Sequence, residues 1–190
     1  MKTIRSAGAG FIVAVVMLTA SACKKAPKPE QVTVDAAPAP AGAADSASAR
    51  VADQEFLKQM SDHHQGLVAM AHEAMEKTGS AVQQEATTLD QKQDEEIEQM
   101  LTILLRDYSD PHTPTVAPEA QAMADALASK SGADYDMTFR MNVVEHHKQG
   151  IAMVDRFLPR LTREDVRTMA QQMKYDQEGD IRELQAKMAY

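Results

Sequence analysis

The sequence predicts an all-α protein, a four-helix bundle made of two repeated helical hairpins with a short crossover helix between them. Three observations predict it. A shift of 83 residues lays the chain on itself without a gap, matching Asp53-x-x-Phe56 to Asp136-x-x-Phe139, Asp62-His63-His64 to Glu145-His146-His147, and Ala69-Met70 to Ala152-Met153. That period is too long for a solenoid and suits a duplicated hairpin. Within each repeat, apolar residues return at spacings of three and four, as one face of a helix requires, and no alternating strand pattern competes. Caps, Gly and Pro then divide each repeat into two helices.

The first elements precede the fold. Lys2 and Arg5 are followed by an apolar run from Phe11 to Ala20, shorter than the roughly twenty residues a permanent membrane span needs, so residues 1–22 read as a signal peptide. Cys23, the only cysteine, follows Ala20-Ser21-Ala22 and resembles a bacterial lipobox cysteine, which is lipidated and becomes the mature N-terminus; Ala20 stands where such signals usually carry Leu. A lone cysteine excludes an internal disulfide. The alternative is cleavage after Ala22 without lipid, leaving a soluble periplasmic protein. Lys24 resembles signals that permit transfer to the outer membrane in a host that has one. Residues 24–50, rich in Ala, Pro and Ser without a repeating apolar face, read as a disordered tether. The expected domain is 51–190, with repeats at 51–110 and 134–190.

Helix ends follow from their chemistry. Asp53 and Asp136 are expected to accept from free N–H groups at helix starts, and Gly79 to stop the first helix. Ser80-x-x-Gln83 has the form of a capping box; Asp110-Pro111 ends the second helix, Leu158-Pro159 the third, and Thr162-x-x-Asp165 opens the fourth. Pro111, Pro114 and Pro118 mark the crossover, and Glu119 to Lys130 forms its short helix before Gly132.

In the first helix Met60, His63, Leu67, Met70 and Ala74 share one stripe, and in the third Val143, His146, Gly150, Met153 and Phe157 do the same. His63 and His146 therefore point into the bundle. His64 and His147 sit about 100° further round and face a neighbouring helix, while Asp62 and Glu145 turn toward solvent. Counting back from the turns at about 1.5 Å per residue brings Glu96 opposite His63, and Gln177 to Asp180 opposite His146. A buried imidazole needs a partner, since leaving it without one costs about 1–3 kcal/mol. One reading is therefore a structural network, His63 with Glu96 and His146 with Asp180. The other is a metal site. Doubled imidazoles with a methionine two turns on select a soft or borderline ion, and copper first, because thioether suits Cu(I) and imidazole suits either copper state or zinc. Most other methionines, such as Met169, Met173 and Met188, are explained by packing. His72 and His112 are expected in solvent, and Tyr108 and Tyr175 have no reading beyond packing.

The segments Asp62-His63-His64-Gln65-Gly66-Leu67-Val68-Ala69-Met70-Ala71 and Glu145-His146-His147-Lys148-Gln149-Gly150-Ile151-Ala152-Met153 resemble the duplicated His-His motif of the domain-of-unknown-function 305 family. The likeness covers residues 51 to 190, with Gly150 one place later than Gly66. It implies a ferritin-like four-helix bundle and, as in some periplasmic members, copper binding that protects the cell envelope. It supports His63, His64, Met70, His146, His147 and Met153 as ligands; Glu96 and Asp180 rest on the counting argument alone.

From Val51 onward 25 acidic and 14 basic side chains give a formal charge of −11, which argues against a nucleic-acid partner and suits either solubility or the attraction of cations. The expected function is an envelope lipoprotein that sequesters or delivers copper without turnover. Its partners are a metal ion, the membrane through the lipid anchor, and either a homo-oligomer or a copper-handling protein. A metal-free helical interaction module competes. A di-metal oxidase or storage protein competes less well, because the Glu-x-x-His spacing fails: Gln99 follows Glu96 and Glu183 follows Asp180 by three.

Overall fold

The computed structural model describes residues 41–77 and 79–189, so the signal peptide, Cys23 and the tether up to Pro40 lie outside the described residues. Five helices follow in order: α1 Ala41–Glu76, α2 Gln83–Tyr108, α3 Pro118–Ala128, α4 Gly132–Phe157 and α5 Glu164–Met188. No strand occurs among the described residues, and none of their helices is long and apolar enough to cross a membrane. The protein is an all-α bundle in which the hairpins α1–α2 and α4–α5 are joined by the crossover helix α3, with Pro118 in its first turn.

Helix α1 starts ten residues before Val51, inside the segment expected to be tether. Its first nine residues, Ala41 to Ala49, include five alanines, the best helix former, and the prolines stop at Pro40. Arg50 anchors this extension to the end of α2: its guanidinium donates to the Asp107 carbonyl and lies 4.8 Å from the centre of the Tyr108 ring. Gly79, at φ +77°, makes the turn into α2 in the left-handed region that glycine enters freely. Ser109 ends α2 in the same region at φ 54°, and the next amide, Asp110 N–H, donates back to Leu104 O at 3.1 Å.

The repeated aspartates do not cap their own helices, because α1 and α4 begin well before them. Each serves the opposite hairpin. Buried Asp53 accepts from the Thr162 amide (2.9 Å), the Thr162 hydroxyl (2.9 Å) and the Arg163 amide (3.3 Å), and so caps α5. Asp136 accepts from the Ser80 hydroxyl at 2.7 Å and the Ala81 amide at 3.2 Å ahead of α2. The capping box expected at Ser80 is therefore open, and Gln83 turns back to donate to Met75 O at 3.0 Å. A side chain from across the interface satisfies orphan donors as well as a local one would, and here it also fixes how the hairpins dock.

Helices α1 and α4 run antiparallel. The early half of α1 and the late half of α4 share one apolar cluster, in which Phe56 and Phe157 have ring centres 5.6 Å apart. The late half of α1 and the early half of α4 share a second, containing Leu67, Met70, Tyr135 and Phe139. The histidines fall between the two clusters. Packing is closest within each hairpin, α1 also packs on α3 and on α4, and a groove separates α2 from α5.

Two glycines set spacing near this junction. A Cβ on Gly66 would stand 2.7 Å from the Ala120 Cβ of α3, whereas one on Gly150 would meet only the end of the Gln177 side chain, at 2.5 Å from Oε1. Ala120 cannot move without its helix, but Gln177 can change rotamer. Gly66→Ala should therefore destabilise by about 1–2 kcal/mol despite its better helix propensity. Gly150→Ala should be neutral or stabilising by up to about 1 kcal/mol. Urea melts of the two variants check the contrast; equal effects would remove the close approach of α3 as its cause.

Candidate metal centre

Four imidazoles form one layer at the middle of the bundle. The helical phase that turns His63 inward on α1 and His146 inward on α4 brings them face to face where those helices cross, with ring centres 3.8 Å apart and planes 23° from parallel. His64 stands beside them, its ring centre 6.2 Å from that of His63. His64, His146 and His147 are buried, and His63 nearly so.

The acids meet the second histidine of each pair. His64 Nε2 lies 2.7 Å from Glu96 Oε2, and His147 Nε2 stands 3.4 Å from Asp180 Oδ2 without a formed hydrogen bond. Counting along the hairpins had matched the acids to His63 and His146. The correction follows from direction: the inward residues of α1 and α4 face each other, so the residues 100° round are the ones facing α2 and α5.

Two glutamines complete the layer. Gln93 and Gln177 are buried, and Gln93 lies 3.5 Å from Glu96 Oε2, while the Gln177 amide has no partner. Neither was named as a site residue from sequence, although Gln93-x-x-Glu96 and Gln177-x-x-Asp180 repeat the same spacing and Gln93 lies on the inward phase of α2. Lys92 was also missed; its ammonium reaches Asp180 at 3.1 Å and Asp176 at 3.9 Å.

Burial above all, then the neighbouring His64 and His147, pushes the His63 pKa down to about 3. Burial, followed by His63, His147 and His64, holds His146 well below the ordinary imidazole range. Both rings are therefore neutral at pH 7 and carry lone pairs. Burial would raise Asp180, but the His147 imidazole and the Lys92 ammonium outweigh it and keep the carboxyl below its usual range. Both nitrogens of His63 and of His147, Nδ1 of His64 and Nε2 of His146 find no hydrogen-bond partner.

The methionines are not brought together. Met70, seven residues after His63, is about 10 Å further along α1 at ~1.5 Å per residue, in the cluster with Leu67 and Phe139. Met153 is displaced as far in the opposite direction, because α4 is antiparallel, and packs against the cluster with Phe56 and Phe157. The sulfurs of Met60, Met100 and Met173 lie in that same cluster. Among the described residues no group of three or more His, Cys, Asp or Glu side chains is already arranged to hold one ion.

Of the remaining histidines, His72 is exposed as expected and pairs with Asp90 at 3.0 Å. His112 is largely covered instead: it lies 3.0 Å from Asp62, which also accepts from the Thr115 amide at 2.8 Å and so ties the crossover to α1 beside His63.

A duplicated-hairpin bundle with a buried histidine layer defines a class of helical proteins with candidate ligands between the two repeats. The chain belongs to the family described as domain of unknown function (DUF305), whose model matches residues 18–104 and 53–188. Among solved structures it resembles a DUF305 fragment from Deinococcus radiodurans, at 22% identity over 73% of this chain and 95% of that one, with a TM-score of 0.65. A DUF305 protein from Streptomyces coelicolor, provisionally described as secreted, is 25% identical over 70% and 88% of the two chains, with a TM-score of 0.62. CopM in its Cu(II)-bound form is 22% identical over 72% and 95%, with a TM-score of 0.62, and has also been solved in a Cu(I)-bound form. No curated protein matches the sequence.

Proposed function

We propose that this chain is an exported, lipid-anchored protein of the cell envelope that sequesters or delivers copper through its histidine layer and carries out no turnover. The observation that carries the reading is the largely buried quartet His63, His64, His146 and His147, in which six ring nitrogens make no hydrogen bond. Such orphan acceptors and donors each cost about 1–3 kcal/mol in a metal-free fold, and ligation is a use that would offset the cost. Neutral imidazole is a good ligand for copper in either state, and rings already neutral need release no proton to bind. The stacked pair keeps its nitrogens from converging, so binding requires His63 and His146 to rotate out of the stack. Glu96, Asp180 and the Gln177 carbonyl are the nearest oxygen donors, and thioethers enter only through rearrangement. The copper-bound forms of CopM on the same fold support the choice of metal. The apolar run before Cys23 supports export and the anchor.

A metal-free interaction module is favoured by one specific observation, the His64–Glu96 bond of 2.7 Å, which satisfies part of the layer without an ion. Titration of the purified chain with Cu(I), Cu(II), Zn(II) and Fe(II) separates the readings. Copper should bind most tightly, and replacing all four paired histidines by alanine should lower its affinity by at least about a hundredfold, or roughly 2.7 kcal/mol. Equal uptake by that variant leaves only the scaffold reading.

A further inference from the structure

The histidine layer reaches toward two faces of the bundle, and they differ. Between α1, α3 and α4 a cavity of about 320 Å³ is lined by Asp62, His63, Glu119, Met123, His146 and Gln149, with Ala120 of α3 as part of its wall. Two of the layer's imidazoles thus form part of the cavity wall. His146 is only 2% exposed and its Nε2 is unpartnered. No Lys or Arg lines this cavity, and its two ionisable acids are carboxylates.

On the opposite face the groove between α2 and α5, about 840 Å³, is also acidic, with Glu95, Glu96, Glu164, Asp165 and Asp176 along it. No histidine lines it. The Lys92 ammonium sits there between Asp176 and Asp180, at 3.9 Å and 3.1 Å. A cation approaching His147 from this side meets a like charge and has to displace it.

We propose that the cavity under α3 is the entrance by which a cation reaches the histidine layer, because on the α2–α5 side the His64–Glu96 bond and the Lys92 ammonium beside Asp180 stand in front of the other two imidazoles. The proposal rests on the copper-binding reading. Asp62 and Glu119 draw a cation to the cavity, and the unpartnered imidazole nitrogens in its wall receive it. Asp62 also holds His112 and Thr115 of the crossover, so the same residue fixes one rim of the entrance.

A matched pair of charge insertions tests it. Gln149 lies at the α3-side mouth and Gln99 at the groove; both are exposed on helix surfaces, so Gln149→Lys and Gln99→Lys change the net charge identically. The measurement is the association rate of Cu(II) with the full chain, followed by quenching of tyrosine emission in stopped flow. Gln149→Lys should slow association about three- to tenfold at low ionic strength, with the difference closing at high salt, and Gln99→Lys should change it less than about twofold. Slowing by Gln99→Lys that equals or exceeds that of Gln149→Lys would overturn the assigned entrance while leaving copper binding intact. A chain that takes up no Cu(II) in either form removes the copper reading and the entrance with it.

Discussion

Between pH 7 and pH 5 the metal-free chain is expected to lose about 2 kcal/mol of folding stability at His63 alone, with a further loss of the same sign at His146, because the fold keeps both imidazoles neutral. In the unfolded chain His63 and His146 titrate near the ordinary value of 6.5, whereas in the fold His63 is pushed down to about 3 and His146 well below the usual range. Below pH 6.5 the unfolded state therefore binds more protons than the folded one. Stability rises with pH wherever that holds, so it falls as the pH drops from 6.5 toward 3. Asp180 and Glu85, whose carboxyls are held below their usual values, add losses only at still lower pH, which leaves the upper part of the window to the histidines.

The double variant His63→Leu/His146→Leu isolates the cause. It replaces two buried rings with apolar side chains of similar size, so the metal-free protein should gain about 2–5 kcal/mol at pH 7 and its acid sensitivity above pH 5 should flatten. Urea unfolding at pH 7, 6 and 5 measures both quantities. A wild-type midpoint that does not move across that range would show that the layer accepts protons while folded, contrary to its burial. The variant also exposes a trade-off: if the imidazoles are kept for copper, stability is given up at the same residues.

Asp53→Ala should cost about 3 kcal/mol, because it strips three donors around the start of α5 of a buried charged acceptor. Asp53→Asn keeps an acceptor oxygen and should cost about half as much. Asp136→Ala, the equivalent change ahead of α2, is half-exposed and should cost nearer 1 kcal/mol, since water replaces part of the cap. Denaturant midpoints for the three variants check the order. A loss below about 0.5 kcal/mol for Asp53→Ala would mean that α5 does not depend on its cap from α1.

Much of the architecture was legible because it is local. Pro118 and Gly132 bracket α3, Pro111 and Pro159 follow the ends of α2 and α4, and the three-and-four spacing around His63 and His146 turns both inward. The errors share a cause. Asp53 and Asp136 have the chemistry of caps, and they do cap, but on helices more than a hundred and more than fifty residues away in sequence. The start of α1 at Ala41 was obscured because an Ala-Ser segment without an apolar face looks like a linker, although its alanines favour helix. Gln93 and Gln177 carried a weak signal, a buried-phase amide three residues before an acid, that stands out only once the layer is seen.

By itself the sequence determined the duplicated hairpin, the inward histidines, the acids available to meet them and the membership of the DUF305 family that those repeats announce. Only the tertiary structure decided which partners each residue has. Helical phase is fixed by a period of 3.6 residues and can be read from any short stretch, but it gives a direction from the axis and no more. The antiparallel crossing of α1 on α4 stacks His63 on His146, hands Glu96 to His64 and Asp180 to His147, and sends Met70 and Met153 to opposite ends of the bundle. That crossing is set by two separate apolar clusters and the exchanged aspartate caps, all of them contacts between segments distant in the chain, which no local period encodes.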